Sequence, residues 1–139
     1  MRLWDYRLIP YLPKQQLVAQ WRELNSIFKK QDKHILINYI YEYSKYSLMV
    51  YSQYVINEMK KRGYAIKSFE NYNKYFDDVD TINLERFVEM KCNPFPAHHT
   101  ERYLKQCFFN LQEKYDRGQK GFTEKVYEEL LNYICEENY

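Results

Sequence analysis

The chain has 139 residues, which is the size of one domain with one core, and we predict a single domain over residues 1–139. No stretch approaches the roughly 20 apolar residues of a membrane span, and the charged N-terminus lacks the apolar region of a signal peptide, so a cytoplasmic protein without a membrane partner is expected. The formal net charge is only +2, but residues 1–67 contain 12 Lys and Arg against 5 Asp and Glu, which suits a basic surface facing a polyanion. Three cysteines without CxxC spacing predict reduced, mostly buried thiols, and neither a metal nor a cofactor is expected.

The first strong helical pattern begins at Pro13 and runs to about Lys30. Apolar residues at helical spacing form one face of it: Leu17, Trp21, Leu24 and Phe28. Gln16, Gln20 and Glu23 lie one residue earlier in each turn, so they form a polar stripe beside the apolar face.

The segment 35–43 is rich in β-branched and aromatic residues, and its pattern fits either a short strand or a buried helical piece. A second helix follows from about Tyr46. Its basic last turn, Lys60 to Arg62, and the glycine at Gly63 are typical of a helix C-terminus.

Three further helices are predicted in the second half of the chain. Thr81 is the candidate cap of a short helix that the NPFP segment 93–96 stops. Thr100 begins a long helix that Gly118 ends, and Thr123 begins the last one. Four long helices with short helical pieces predict an all-α fold, a single compact helical domain whose helices pack on one another around aromatic residues.

Glu23 stands next to Arg22, between the aromatic face and the polar face of the first helix. A lone glutamate on an amphipathic helix is more often a solvated charge than a catalytic group, so this position alone leaves both interpretations open. His34, His98 and His99 lack the spacing of metal ligands, and the remaining functional interpretation of the loop histidines is contact with phosphate.

Basic side chains are concentrated in the first 33 residues: Arg2, Arg7, Lys14, Arg22, Lys29, Lys30 and Lys33. Their functional interpretation is phosphate contact, and the alternative is a set of solvated charges. No Gly-rich phosphate loop, GxSxG elbow or carboxylate-rich metal motif is present, so nucleotide hydrolysis and metal-dependent nuclease chemistry lack support.

Three segments carry a resemblance to a known family. The chain begins MRLWDYRLIPYLPKQQLVAQWREL, the second helix ends MKKRGY at Met59 to Tyr64, and PAHHTERYLKQCFFNLQEKYDRG runs from Pro96 to Gly118. These segments resemble the pyrimidine-dimer DNA glycosylase family, the phage endonuclease V-like enzymes, and particularly its bacterial branch that begins MRLW.

The resemblance implies a DNA repair glycosylase that binds duplex DNA, extrudes a nucleotide and breaks the glycosidic bond of a damaged pyrimidine, such as one in a cyclobutane dimer, with AP-lyase activity as a further step. The family nucleophile is an N-terminal α-amine, which falls on Met1, and such amines titrate near pH 8, well below lysine. The family's catalytic glutamate falls on Glu23, and its DNA-contacting arginine falls on Arg22. A monomer is expected, and the residues predicted to bind DNA are Arg2, Arg22, Lys29, Lys30 and Lys33.

The chain also departs from the phage member of the family. Arg2 is too large for ordinary methionine removal, so Met1 is expected to be retained, and Gln16 stands where the phage enzyme has a histidine. The aromatic C-terminal tail of that enzyme has no clear equivalent beyond Tyr133 and Tyr139. The lesion and the occurrence of strand nicking stay open, as do two other functions: a noncatalytic DNA-binding protein on the same scaffold and a helical protein-interaction domain.

Overall fold

The computed structural model of the chain describes residues 1–138, and Tyr139, one of the two C-terminal tyrosines considered above, lies outside the described residues. Residues 1–138 form six α-helices and two short 3-10 helices, without a strand. The α-helices are α1 (Lys14–Lys30), α2 (Lys45–Lys61), α3 (Glu70–Tyr75), α4 (Leu84–Glu89), α5 (Glu101–Asp116) and α6 (Glu124–Asn138), and the 3-10 helices are Tyr6–Tyr11 and Asn38–Glu42. The prediction of an all-α fold with four long helices is therefore confirmed.

Helix α1 follows the amphipathic pattern of its sequence and packs against α2 and α3. Leu17 and Leu24 are fully buried and Phe28 is buried, whereas Trp21 is only partly buried and meets the Phe28 ring edge-on at a centroid distance of 6.2 Å. The helix ends at Lys30, and the capping residue Gln31 has a left-handed φ of 50°, which cannot continue the helical hydrogen-bond pattern. Two lysines in the last turn face the negative end of the helix dipole.

The segment 35–43 is helical rather than extended, which decides between the two interpretations left open by the sequence. A turn over residues 35–37 leads into the second 3-10 helix. Ile37 and Ile40 are three residues apart, the repeat of a 3-10 helix, and both are buried in the core. The two β-branched residues Ile37 and Ile40 are therefore buried by the repeat of a 3-10 helix, and not by the alternation of a strand.

The predicted ends of α2 and α5 are confirmed. Helix α2 ends in two lysines followed by Gly63, whose φ of +78° is the left-handed conformation that favours glycine. The Thr100 hydroxyl accepts a hydrogen bond from the backbone N–H of Tyr103, which satisfies a free donor in the first turn of α5.

The short helix α3 had no counterpart in the sequence-based prediction. Tyr72 and the adjoining Phe76 meet Phe28 of α1 edge-on, at ring-centroid distances of 5.8 and 5.2 Å. A helix of six residues is not stable alone in water, so the packing of these aromatic rings against α1 holds it in place.

The N-terminal segment is buried rather than free. Leu3 and Asp5 are fully buried and Trp4 is nearly so. The Tyr51 hydroxyl of α2 donates to the Trp4 carbonyl at 2.7 Å, and the Arg7 guanidinium donates to both oxygens of the Asp5 carboxylate at 2.9 Å. The segment continues into the first 3-10 helix, which contacts α2, α5 and α6. The beginning of the chain is therefore held between helices in one position.

The cysteines are free, but they are less buried than expected. Cys107 is buried, Cys92 is partly exposed and Cys135 is exposed, so the prediction of mostly buried thiols is wrong. Cys135 follows the buried Ile134 on α6 and points outward, as the helical repeat requires.

Within residues 1–136, whose side chains the structure describes, no group of three or more potential metal-ligating side chains comes together. No helix in the same range is both long enough and apolar enough to cross a membrane.

Candidate active site

An open cleft of about 410 Å³ lies where the N-terminal segment, α1, the turn at residues 35–37 and the C-terminal half of α5 meet. The structure brings the two predicted catalytic residues, Met1 and Glu23, together in its wall. The residues that line this active-site cleft are Met1, Arg2, Trp4, Gln16, Glu23, Leu36, Asn110, Glu113, Lys114 and Arg117. Its cationic groups, which include the α-amine, outnumber its two carboxylates, so the cleft favours an anionic ligand.

The carboxyl group of Glu23 is partly buried, and this burial raises its pKa above the ordinary value because the charged form loses contact with water. Among the groups that oppose the rise, the α-amine of Met1 has the largest effect, followed by Arg22 and the backbone amide of Arg2. The α-amine therefore influences Glu23 more strongly than the arginine beside it in sequence. Both groups line the same cleft, and the charge of the α-amine acts on the Glu23 carboxyl group through space.

Gln20 connects the N-terminal segment to Glu23. Its side chain is fully buried, and its amide nitrogen donates to the Arg2 carbonyl at 3.1 Å and to the Glu23 carboxylate at 3.2 Å. Its amide oxygen accepts from the Trp4 backbone N–H at 2.9 Å and lies 2.9 Å from the oxygen of the Tyr51 hydroxyl, whose proton goes to the Trp4 carbonyl. One side chain thus fixes the backbone on both sides of Leu3 relative to the carboxylate.

A second set of contacts holds the same segment from the side of α5. The Tyr103 hydroxyl donates to the Leu3 carbonyl. The Arg2 guanidinium lies 6.0 Å from the ring centroids of both Trp4 and Tyr103, at the outer limit of a cation–π contact. Helices α1 and α5 therefore both position the residues next to Met1.

Helix α5 contributes Asn110, Glu113 and Lys114 to the cleft, and Arg117, the residue that caps the C-terminus of α5, adjoins them. Glu113 and Lys114 follow Asn110 by three and four residues, and Arg117 follows them by four and three, so the four residues share one face. Arg117 donates to Glu113 at 2.9 Å in an exposed ion pair. These residues were not predicted from the sequence as site residues, because a polar stripe at this spacing is equally typical of a solvated face.

The predicted DNA-binding residues fall into two groups. Arg2 lines the cleft. Arg22, Lys29, Lys30 and Lys33 do not line it and are exposed on α1 and on the segment that follows α1. The first group can contact a ligand inside the cleft, and the second can contact only a polyanion that extends beyond it.

The two adjacent histidines, His98 and His99, make contacts that stabilise the fold. His99 is 1 % exposed, its Nδ1 accepts from the Tyr6 backbone N–H at 3.3 Å, and its Nε2 lies 2.7 Å from the Tyr39 hydroxyl. Burial first, and then the charges of Arg7 and His98, lower its pKa to about 3. His99 is therefore neutral and enclosed, which removes it from the phosphate contact considered above.

His98 lies outside the cleft lining and stacks on the Tyr39 ring at 4.5 Å. Its Nδ1 is hydrogen bonded to the Tyr43 hydroxyl at 2.8 Å, and its Nε2 lies 3.3 Å from the Glu42 carboxylate. These contacts tie the loop before α5 to the second 3-10 helix.

The cleft combines a primary amine, a neighbouring carboxyl group whose charged form is partly desolvated, and several cations. An amine supplies a nucleophile for a carbon that bears a leaving group, and the carboxyl group can move protons and stabilise positive charge. The cations fit the phosphates of a nucleic acid strand.

The sequence pattern of the family described as pyrimidine dimer DNA glycosylase matches residues 1–71, about half of the chain, and this stretch includes Met1, Gln20 and Glu23. Neither the curated proteins nor the solved structures gave a significant match.

Proposed function

Because this chain belongs to the pyrimidine dimer DNA glycosylase family, we propose that it removes a damaged pyrimidine from duplex DNA through the α-amine of Met1 and the carboxyl group of Glu23. The observation that carries the proposal is the position of these two groups in the wall of one cationic cleft, with the α-amine acting electrostatically on Glu23. Lesions of the cyclobutane dimer type are the proposed substrates, in line with the family.

The first step forms a bond between the α-amine nitrogen and the anomeric carbon of the sugar. The bond from that carbon to the base breaks, its electron pair leaves with the base, and the amine loses a proton. The bond from the anomeric carbon to the ring oxygen then breaks, the ring oxygen takes up the proton that Glu23 received from the amine, and the carbon and the nitrogen are left as a protonated imine. Loss of a proton from the neighbouring sugar carbon expels the 3′ phosphate, which nicks the strand and constitutes the AP-lyase step.

Glu23 has two roles in this proposal. As a carboxylate it stabilises the positive charge that develops on the sugar, and it accepts the protons that the amine and the sugar carbon release. Its raised pKa supports the proton-transfer role, because a carboxyl group with a pKa nearer to neutrality is a stronger base than an ordinary surface glutamate.

The basic side chains form two groups, one inside the cleft and one outside it, and each group is proposed to contact a different part of the DNA. Arg2, Lys114 and Arg117 in the cleft are placed to contact the phosphates that flank the extruded nucleotide. Arg22 and the three lysines predicted to bind DNA are placed to contact the duplex outside the cleft, at lower specificity.

The test is borohydride trapping on duplex DNA that carries a cyclobutane dimer or an abasic site. We expect a covalent adduct, and mass spectrometry of its peptides should locate the sugar on Met1. Glu23→Gln keeps the shape of the side chain but not its basicity, so strand cleavage should fall by roughly 100-fold or more. Glu89→Gln is the matched control, because this glutamate is exposed on α4 and does not line the cleft.

Three results would contradict the proposal. An adduct on a lysine instead of Met1 would remove the α-amine from the mechanism. Salt-dependent duplex binding without adduct or cleavage would assign the chain to noncatalytic DNA binding. Failure to bind DNA at low salt would favour a protein-interaction domain.

A further inference from the structure

A second groove, of about 570 Å³, opens on the surface between the first 3-10 helix, the C-terminal half of α2 and the helices α4 and α6. It shares no lining residue with the active-site cleft. Met1 and Arg2 line the cleft, residues 6–11 contribute to the groove, and the fully buried Leu3 and Asp5 lie between these two parts of the chain. The groove is therefore a separate site, and its volume is in the range that holds small ligands.

Four partly buried tyrosines line this groove: Tyr6, Tyr11, Tyr54 and Tyr133. Their rings stack in two pairs. Tyr6 lies 6.1 Å from Tyr54 between ring centroids, and Tyr11 lies 4.6 Å from Tyr133. The Tyr54 hydroxyl also donates to the Cys92 carbonyl at 2.6 Å, which fixes the orientation of its ring. The groove therefore offers aromatic surface in a set position, on which a planar ligand can stack.

Four charged side chains line the same groove, and two of them are paired within the protein. Arg7 and Glu58 each take part in an ion pair. Lys61 and Lys91 are exposed, and among the residues that the structure describes neither lysine has an ion-pair partner. The charge left without a partner is therefore positive, so the groove favours a ligand that carries an anionic group.

Glu58 adds a hydrogen-bond acceptor to the groove. Its side chain is only 11 % exposed, and its Oε2 accepts from the Arg62 Nε at 2.8 Å. Arg62 in turn donates to the carbonyls of Leu12 and Pro10 at 2.8 and 3.0 Å, so the carboxylate is held in place. Its second oxygen accepts no hydrogen bond from the described residues. Because every nucleobase carries an N–H on its edge, that oxygen can accept from a base.

We propose that this groove binds a nucleoside phosphate, with the base against the tyrosine rings and Glu58, and the phosphate at Lys61 and Lys91. An inorganic anion would leave the aromatic surface unused, and an apolar ligand would leave the two lysines unused. The groove contains neither Met1 nor Glu23, so its ligand does not depend on the function proposed above. A free nucleotide and the unpaired end of a nucleic acid strand both supply this chemistry.

The test measures the affinity of the full chain for ADP, adenosine and pyrophosphate by isothermal titration calorimetry. Only ADP occupies both the aromatic part and the cationic part of the groove, so we expect it to bind roughly tenfold more tightly than either fragment. Equal affinities for ADP and pyrophosphate would show that charge alone attracts the ligand, and would overturn the inference. Absence of ADP binding would overturn it as well.

Substitutions locate the bound nucleotide. Lys61→Gln and Lys91→Gln should each weaken ADP binding by roughly fivefold and leave adenosine binding unchanged. The control is Lys114→Gln, which removes a lysine from the active-site cleft and should leave ADP binding unchanged. If Lys114→Gln weakens ADP binding and the two groove variants do not, the nucleotide lies in the cleft and the groove proposal fails.

The aromatic part of the groove has its own pair of variants. Tyr54→Leu should weaken the binding of ADP and of adenosine by roughly tenfold and leave pyrophosphate binding unchanged, because it removes a ring but no charge. Tyr54→Phe keeps the ring and should bind ADP as the wild type does. An unchanged affinity for ADP in a folded Tyr54→Leu variant would overturn the stacking contact and the proposal with it.

Competition distinguishes the two sources of the ligand. A 5′-phosphorylated single strand that displaces ADP at a lower concentration than AMP does would support the groove as a site for a strand end. A strand that displaces ADP no better than AMP would support it as a site for a free nucleotide.

Discussion

At the scale of single residues, Gln20 shows how one buried amide connects a chain terminus to a reactive side chain. The sequence placed it on the polar stripe of α1 beside Glu23, and the helical repeat puts both on one face. That repeat does not reveal that the N-terminal segment crosses this face, because the crossing depends on tertiary packing. The amide satisfies polar backbone groups at Arg2 and Trp4 that the segment would otherwise bury without partners.

We expect Gln20→Ala to lower the free energy of unfolding by about 2–4 kcal/mol, because the Trp4 N–H and the Arg2 carbonyl lose their buried partner. The looser N-terminal segment should also reduce trapping on an abasic site. Chemical denaturation and borohydride trapping measure the two effects.

Gln15→Ala is the control for this substitution, since Gln15 is exposed on the same helix. Its stability should stay within about 0.5 kcal/mol of the wild type. Equal stability of the Gln20 and Gln15 variants would show that the amide is not a structural link.

At the scale of elements, α5 was predicted correctly from its cap at Thr100 to its terminating Gly118, but its functional face was not. The sequence defines which side of α5 is apolar. It does not define which neighbour the polar side borders, because Met1 is more than 100 residues away in the chain. The same limit applies to the turn at residues 35–37, whose apolar residues fitted a core segment equally well.

Substitution of Lys114 or Arg117 tests whether the polar face of α5 that borders the cleft binds DNA. We expect Lys114→Ala and Arg117→Ala each to weaken duplex binding and to reduce the slope of log K against log salt concentration by about 0.9, the value for one lost phosphate contact. Fluorescence anisotropy at several salt concentrations measures both quantities.

Lys105→Ala removes an exposed lysine from the same helix at a position outside the cleft lining and should change neither quantity. A salt slope that changes equally in all three variants would mean that charge, and not position, decides binding.

At the scale of the whole molecule, His99 joins parts of the chain that are far apart in sequence. Its ring bonds the first 3-10 helix through Tyr6 and the second through Tyr39, and it stacks on Tyr103 of α5 at 5.0 Å. A buried neutral histidine couples folding to protonation. The folded state keeps His99 neutral down to a pKa of about 3, whereas the unfolded chain takes up the proton near pH 6.5.

The sign of the pH effect follows from this difference. Between pH 6.5 and pH 3 the unfolded state binds more protons at this site, so stability falls as pH falls, by on the order of 1 kcal/mol per pH unit. His99→Gln removes that contribution and should flatten the dependence of unfolding free energy on pH between 6.5 and 4, although it also lowers stability at pH 7.

His34→Gln is the comparison, because it makes the same substitution at an exposed histidine. A slope in His99→Gln as steep as that of wild type would show that other groups cause the acid sensitivity.

The predictions from sequence were most successful for long helices and least successful for spatial relations. Periodicity and capping residues gave the all-α fold and the ends of α2 and α5, since these depend on neighbouring residues. That Met1 and Glu23 line the same cleft was expected only from the family resemblance. Nothing in their separation of 22 positions in the sequence implies it. The exposed Cys135 was missed because composition alone does not orient a side chain on its helix.

The lining of the active-site cleft extends from the first residue of the chain to Arg117. In the order of synthesis, Lys114 and Arg117 come long after Met1 and Glu23, when more than four fifths of this sequence has been made. The cleft therefore cannot close around Met1 and Glu23 before α5 has folded. Under the proposed function, a chain truncated before α5 should not cleave DNA.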